Sequence, residues 1–262
     1  MASRTEQKAA ARAAREMRQR ELTAAQARRM RLIYLGGLVA AVAIAIVVVV
    51  VAGGSKKAAT PGGTAGKATV ISLLKGIPQN GNTLGKASAP VTILEYGDLV
   101  CPVCQQFALT SEQQLISSAV RTGKVKLVYR GLETASQGAN NGEYAASQIA
   151  ARAAGVQHRA WQYILLWYNQ QGDETTSYVT DPYMQGLAQE IPGLNLTKWQ
   201  ADRNSASLAN AVTADSQAAA AAGATGTPTI FVTGPKGTQQ FNDPNSAVPS
   251  LAQLQALITQ VS

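Results

Sequence analysis

Apolar and polar positions divide this chain into three zones. From Leu32 to Gly54 runs LIYLGGLVAAVAIAIVVVVVAGG, 23 residues without a charge. Crossing the hydrocarbon core of a bilayer as a helix takes about 20 such residues, so residues 32–54 are expected to form one transmembrane helix. The stretch after it, GGSKKAATPGGTAGKAT up to Thr69, has no apolar period. Its Gly, Ala, Lys and Thr predict a flexible linker over residues 55–69. Beyond the linker, short apolar runs alternate with helix-period stretches. Val70–Leu74 is expected as a short strand. VTILEY at 91–96 reads as a strand, with Pro90 marking its start. Pro102 to about Val120 reads as a helix whose Val103, Phe107, Leu115 and Ile116 can share one face. VKLVY at 125–129 is the next strand. Residues 139–222 form a long helical stretch with breaks near Gly155, Gly172, Asp181–Pro182 and Ile191–Pro192–Gly193. Thr229–Thr233 is a strand directly after Pro228, Phe241 is expected to start a short edge strand, and Ser250–Val261 a final amphipathic helix. The order β–β–α–β–(helices)–β–β–α describes a mixed α/β sheet interrupted by a helical insertion.

Charge sets the expected orientation. The net charge is +8 over 262 residues, but residues 1–31 hold nine Lys/Arg against three Glu, and the rest fourteen against twelve. Arg28, Arg29 and Arg31 precede the apolar run, and only Lys56 and Lys57 follow it closely. The larger positive flank is expected to stay in the cytoplasm. Residues 1–31 then form a basic cytoplasmic tail, and the domain over residues 70–262 lies outside the cytoplasm. A cleaved signal peptide is the rival reading, and it suits a shorter charged region and a shorter apolar run. A buried core helix is a weaker rival, because basic residues crowd one end. The bilayer is thus the expected partner of residues 32–54. Outside the tail no dense basic stripe exists to bind nucleic acid.

The only two cysteines stand in CPVC at 101–104. A structural zinc site wants four N or S ligands. Two cysteines and the single histidine, His158, do not supply them, so no metal is expected. His158 lies in a helical stretch and reads as a surface or packing residue. An inert cross-link over two intervening residues would close a tiny loop and remove little unfolded-chain entropy. Redox exchange fits better. Cys101 sits where a strand gives way to a helix, and Pro102 suits the first helical turn because it has no N–H to leave unpaired. Free N–H groups and the helix dipole there stabilise a thiolate. Cys104, three residues on, returns to the same face. Cys101 is therefore the expected nucleophile and Cys104 the resolving thiol.

The segment VTILEYGDLVCPVCQQF resembles the active-site segment of DsbA-like thiol–disulfide oxidoreductases, thioredoxin-fold proteins of the bacterial cell envelope. GKVKLVYR at 123–130 is similar to that family's second core strand, WQYILLWYNQQ at 161–171 to its helical insertion, and GTPTIFVTG at 226–234 to the segment carrying its cis-proline. The resemblance covers about residues 70–262 in the family's order. It implies a thioredoxin fold with an inserted helical subdomain, Pro228 as a cis-proline against the CPVC turn, and Thr227 presenting backbone groups to an extended substrate peptide. It also implies that Glu95, six residues before Cys101, lies beneath the site and relays a proton to the buried thiol. The alternative is a strand-end carboxylate facing solvent. Asp98 is read as a loop residue outside the mechanism. Implied partners are thiol-containing secreted or envelope proteins and a membrane quinone-linked reoxidase, with no cofactor. Pro-Val between the cysteines departs from the Pro-His of the strongly oxidising members, whose histidine helps stabilise the thiolate. The direction of electron flow therefore stays open between oxidase and reductase or isomerase. A non-catalytic envelope binding module on the same fold is the rival of another class.

Overall fold

The computed structural model describes residues 64–137 and 143–262. The expected transmembrane segment, the tail and most of the linker lie outside the described residues. Among the described residues no helix is long and apolar enough to cross a membrane.

Helix α1 (Lys67–Leu74) leads to a short hairpin of β1 (Gln79–Asn80) and β2 (Thr83–Leu84), then to β3 (Val91–Gly97). The active-site helix α2 (Pro102–Leu109) is followed by α3 (Ser111–Leu115), a π-helical turn (Ile116–Val120) and β4 (Val125–Gly131). Five helices then intervene: α4 (Glu143–Val156), α5 (Ala160–Gln170), α6 (Asp181–Gln189), α7 (Leu196–Asp202) and α8 (Ala206–Ala221). The chain returns through β5 (Thr229–Gly234) and β6 (Gly237–Gln240) and closes with α9 (Leu251–Val261). The six strands lie in the order β1-β2-β4-β3-β5-β6. β3 and β4 are parallel, joined by a helical crossover, and β5 runs antiparallel to β3. This is the thioredoxin arrangement with a helical insertion between β4 and β5.

Alternation along β3 and β4 decides what lies beneath the active site. Val125, Leu127 and Tyr129 of β4 are buried, with half-buried residues between them. Glu95 of β3 pairs with Tyr129 on one side and Ile230 on the other. It therefore shares the face of Val91 and Ile93, which belongs to the main core. Leu94 and Tyr96 face the other way, toward Ala218 and Ala219 of α8.

Four expectations need correction. Val70–Leu74 is helical, because the residues buried there are Val70 and Leu74, one helical turn apart. Residues 67–69, expected within the flexible linker, already belong to that helix. The last edge strand ends before Phe241, at Gln240, and every residue of it is exposed. The expected single helix from Pro102 to Val120 is broken at Thr110, whose backbone leaves helical geometry (φ −119°, ψ −98°). The Thr110 hydroxyl donates back to the Gln106 carbonyl at 2.6 Å, a local bond that competes with a straight helix.

The insertion adds a set of aromatic side chains to the main core. Trp161, Tyr163, Trp167, Tyr168, Tyr183 and Trp199 are all buried. Trp167 and Tyr183 meet edge to face with centroids 5.0 Å apart, a favoured arrangement of ring quadrupoles. Two indole N–H groups find carbonyls: Trp161 donates to Asn82 at 3.0 Å and Trp199 to Ala150 at 2.9 Å. His158 is exposed in a left-handed turn (φ 58°) after α4.

Candidate active site

The end of β3 delivers the chain into α2, and Cys101 is that helix's N-cap. Its sulfur accepts from the Cys104 backbone N–H at 3.4 Å, and Pro102 fills the first helical position. The three-residue spacing turns Cys104 inward. Cys101 keeps 5% of its surface exposed and Cys104 none. Both are free thiols. The chain then brings in a segment 126 residues away. The Thr227–Pro228 bond is cis, and the Cys101 thiol donates to the Thr227 carbonyl at 3.5 Å. Glu95 is 3% exposed on the core side of β3. The structure thus gathers Cys101, Cys104, Glu95, Thr227 and Pro228 in one place.

The two thiols sit in opposite electrostatic settings. A hydrogen bond from the Cys104 thiol pulls Cys101 down to about 6 against the opposing effect of burial. Thr227 and the backbone N–H groups of Cys104 and Val103 add to that pull. Burial pushes Cys104 well above the usual thiol range, and the Cys101 hydrogen bond and the Glu95 charge push the same way. The pair is one poised thiolate beside one protonated thiol, which is the asymmetry nucleophile and resolving thiol require. Burial also raises Glu95 to about 8, opposed by a hydrogen bond from Glu112 and reinforced by the Cys101 charge. Among the described residues no group of three or more His, Cys, Asp or Glu side chains could hold a metal ion.

Asp98, expected as a loop residue outside the mechanism, instead belongs to the framework of the site. Asp98 is fully buried. Its carboxyl accepts from the backbone N–H groups of Val100, Thr134 and Ser136 at 2.9–3.0 Å, and from the Ser136 hydroxyl. Thr134 in turn shares a 2.6 Å hydroxyl bond with Thr227. Asp98 therefore ties the end of β3 to the loop that braces the cis-proline segment. The insertion is bolted to the same turn, since Gln171 donates to the carbonyls of Leu99 (2.7 Å) and Cys101 (3.1 Å). Tyr168 adds a bond to the Asp98 carbonyl at 3.3 Å. Asp98→Asn would turn an amide N–H₂ toward donors that now find an acceptor. The expected loss is roughly 2–3 kcal/mol of stability in urea titration, with weaker binding of peptide beside Thr227.

Order along the chain adds to the geometry. A protein-family profile described as thioredoxin matches residues 79–254. The chain belongs to the thioredoxin family. Within that family, a probable disulfide bond formation protein D from Bacillus anthracis is 25% identical over 167 residues, covering 63% of this chain and 76% of the relative. The Bacillus cereus protein of the same description is 24% identical over the same length. Among solved thioredoxin folds, oxidised BdbD from Bacillus subtilis superposes with a TM-score of 0.58 at 19% identity, covering 70% of this chain and 96% of that one. Wolbachia pipientis alpha-DsbA1 gives 0.55 at 17%, covering 72% and 92%. The superpositions carry the fold, and the paired thiols carry the chemistry. This thioredoxin-family chain is a protein-disulfide oxidoreductase.

Proposed function

We propose that the chain is a membrane-anchored disulfide donor working outside the cytoplasm. The anchor is the uncharged run at 32–54 with its basic N-terminal flank, and the substrates are thiol-containing secreted or envelope proteins. The single observation that carries the direction is the unequal pair, Cys101 held as thiolate and Cys104 buried and protonated. A stabilised thiolate favours the reduced pair, and a favoured reduced pair makes the disulfide an oxidant. In the reaction a substrate thiolate attacks Cys101, the Cys101–Cys104 bond breaks, and Cys104 leaves with the electron pair and takes up a proton. A second substrate thiolate then attacks the substrate sulfur and releases Cys101 as thiolate. The substrate gains a disulfide and the CPVC pair is left reduced. Continued turnover calls for a membrane quinone-linked reoxidase. Extended peptide beside Thr227 would pair with backbone, so recognition depends little on sequence.

The size of the effect can be placed. At pH 7 a thiol titrating near 6 is about ten parts thiolate to one of thiol, which favours the reduced form by about 1.4 kcal/mol, or about 30 mV. Thioredoxin, with a thiol near ~7, sits at about −270 mV, and DsbA, near ~3.5, at about −120 mV. Interpolation between these references gives roughly −230 mV here, still above the roughly −300 mV of structural disulfides in secreted proteins. Valine in place of histidine thus costs oxidising strength without reversing the direction. Equilibrating the full chain with glutathione buffers at pH 7 tests this. A potential between the two reference values is expected. A value at or below that of thioredoxin would assign a reductant. Failure to cycle would leave a binding module.

A further inference from the structure

One buried acid near the site lies outside the thiol exchange itself. Glu112 is 2% exposed, on α3, directly after the break at Thr110. Its carboxyl and that of Glu95 hydrogen-bond each other. Among the described residues, Oε2 of Glu112 and Oε1 of Glu95 are buried without a hydrogen-bond partner. Two carboxyls in contact in a dry interior cannot both be ionised at moderate cost. One of them must hold a proton and donate it to the other. Glu112 is the one that stays protonated: burial, then the Glu95 charge and the shared bond, push it well up, whereas the same bond pulls Glu95 down.

We propose that Glu112 is a positioning residue for thiol exchange: as a neutral acid it donates its hydrogen bond to Glu95, and so lets Glu95 pass a proton to and from Cys104. The proposal rests on the oxidoreductase reading above. When a substrate thiolate opens the Cys101–Cys104 bond, Cys104 departs as a buried thiolate. Glu95 gives it a proton and becomes a carboxylate. The Glu112 O–H holds that carboxylate until solvent returns the proton. In reoxidation the same proton travels back. The other groups facing Glu95 do not compete at neutral pH. Tyr129 of β4 and Tyr168 of α5 are both pushed far up by burial and stay neutral. Cys101 and Cys104 are the reacting pair. Ile230, the β5 neighbour, carries no charge.

The test is a carbon-13 NMR titration of glutamate carboxyls in the full chain, assigned with Glu95→Gln and Glu112→Gln. In the unsubstituted protein Glu95 is expected to ionise while Glu112 remains protonated. Glu112→Leu removes the donor and should move the Glu95 midpoint up by at least about one pH unit, a tenfold gain in proton affinity. Glu112→Gln keeps an N–H donor and should leave it within about half a unit. The pH inflection of Cys104-dependent release of glutathione from Cys101 should move in step with the midpoint. A merely structural Glu112 would lower stability and leave the inflection in place. An unmoved midpoint in Glu112→Leu, or equal shifts in both variants, overturns the proposal. If the leucine variant does not fold, the order of ionisation in the unsubstituted protein decides, and Glu112 ionising first overturns it. The carboxyl titration does not depend on exchange activity. Loss of exchange with the expected titration would therefore count against the oxidoreductase reading and leave the hydrogen-bond donor in place.

Discussion

Cys101→Ser is expected to reduce thiol–disulfide exchange by roughly 10³-fold or more, to the uncatalysed background. Cys104→Ser is expected to do something different, which is to accumulate mixed disulfides at Cys101. The reason is the asymmetry of the pair. Cys101 keeps an accessible edge, and Cys104 has none. The largest single cause of the lowered Cys101 value is the hydrogen bond from the Cys104 side chain. Serine at 104 retains a donor there, so Cys101 stays nucleophilic. What disappears is the intramolecular attack, whose effective concentration no external thiol matches. Cys104→Ala removes the donor as well, and Cys101 should then react more slowly at pH 7. Non-reducing electrophoresis after incubation with a disulfide-bearing substrate shows the adducts directly. Alkylation rates against pH show whether alanine and serine differ. Adducts on Cys104 in the Cys101→Ser variant, or exchange that survives that substitution, would reverse the roles assigned here.

The parts of this site that were readable in the sequence are those whose geometry is local. Three-residue spacing and a proline at the first helical position place both thiols and the helix start without any help from the rest of the fold. The partners brought in from afar were not readable from the residues by themselves. Thr227 and Pro228 needed a family resemblance, since nothing in GTPT says which strand end it will face. Asp98 looked like an ordinary turn residue, because the N–H groups that bury it come from Thr134 and Ser136, across a crossover. Glu112 drew no reading, because it lies midway along the single helix expected from Pro102 to about Val120. One signal was available: on a straight helix Cys104, Ala108 and Glu112 follow one another every four residues, a stripe shared with the buried side. The misread strands have similarly physical causes. ValIleSerLeuLeu at 70–74 satisfies strand and helix patterns equally over five residues, and the burial of Val70 and Leu74 decides it. β6 has no apolar alternation at all, being held by its ladder to β5.

Glu95→Gln is expected to make the protein more stable and a poorer catalyst. Burial raises the Glu95 carboxyl from 4.5 to about 8. Between those values the folded protein holds a proton that the unfolded chain has released. Stability therefore falls as pH rises across this window, by about 1.4 kcal/mol per unit for one proton. The loss is absent below the unfolded value and complete above the folded one. At pH 7 this places an upper bound on the order of 3 kcal/mol on what the ionisable group costs. Glutamine keeps the shape and cannot ionise, so the variant should gain on the order of 2–3 kcal/mol at pH 7 and almost nothing near pH 4.5. Glu112 retains its own pH dependence, so the slope should drop by about one proton and not vanish. Urea titrations of both proteins at several pH values test the sign. They should be made on the oxidised form, so that Cys101 does not titrate. The same substitution removes the proton that Cys104 needs on leaving, and exchange should slow most where that proton is scarcest, at high pH. A variant no more stable than its parent at pH 7 would mean that Glu95 is solvated, and the proton relay would lose its source. A destabilised group retained beneath a reactive thiol is what an active site that trades stability for chemistry looks like.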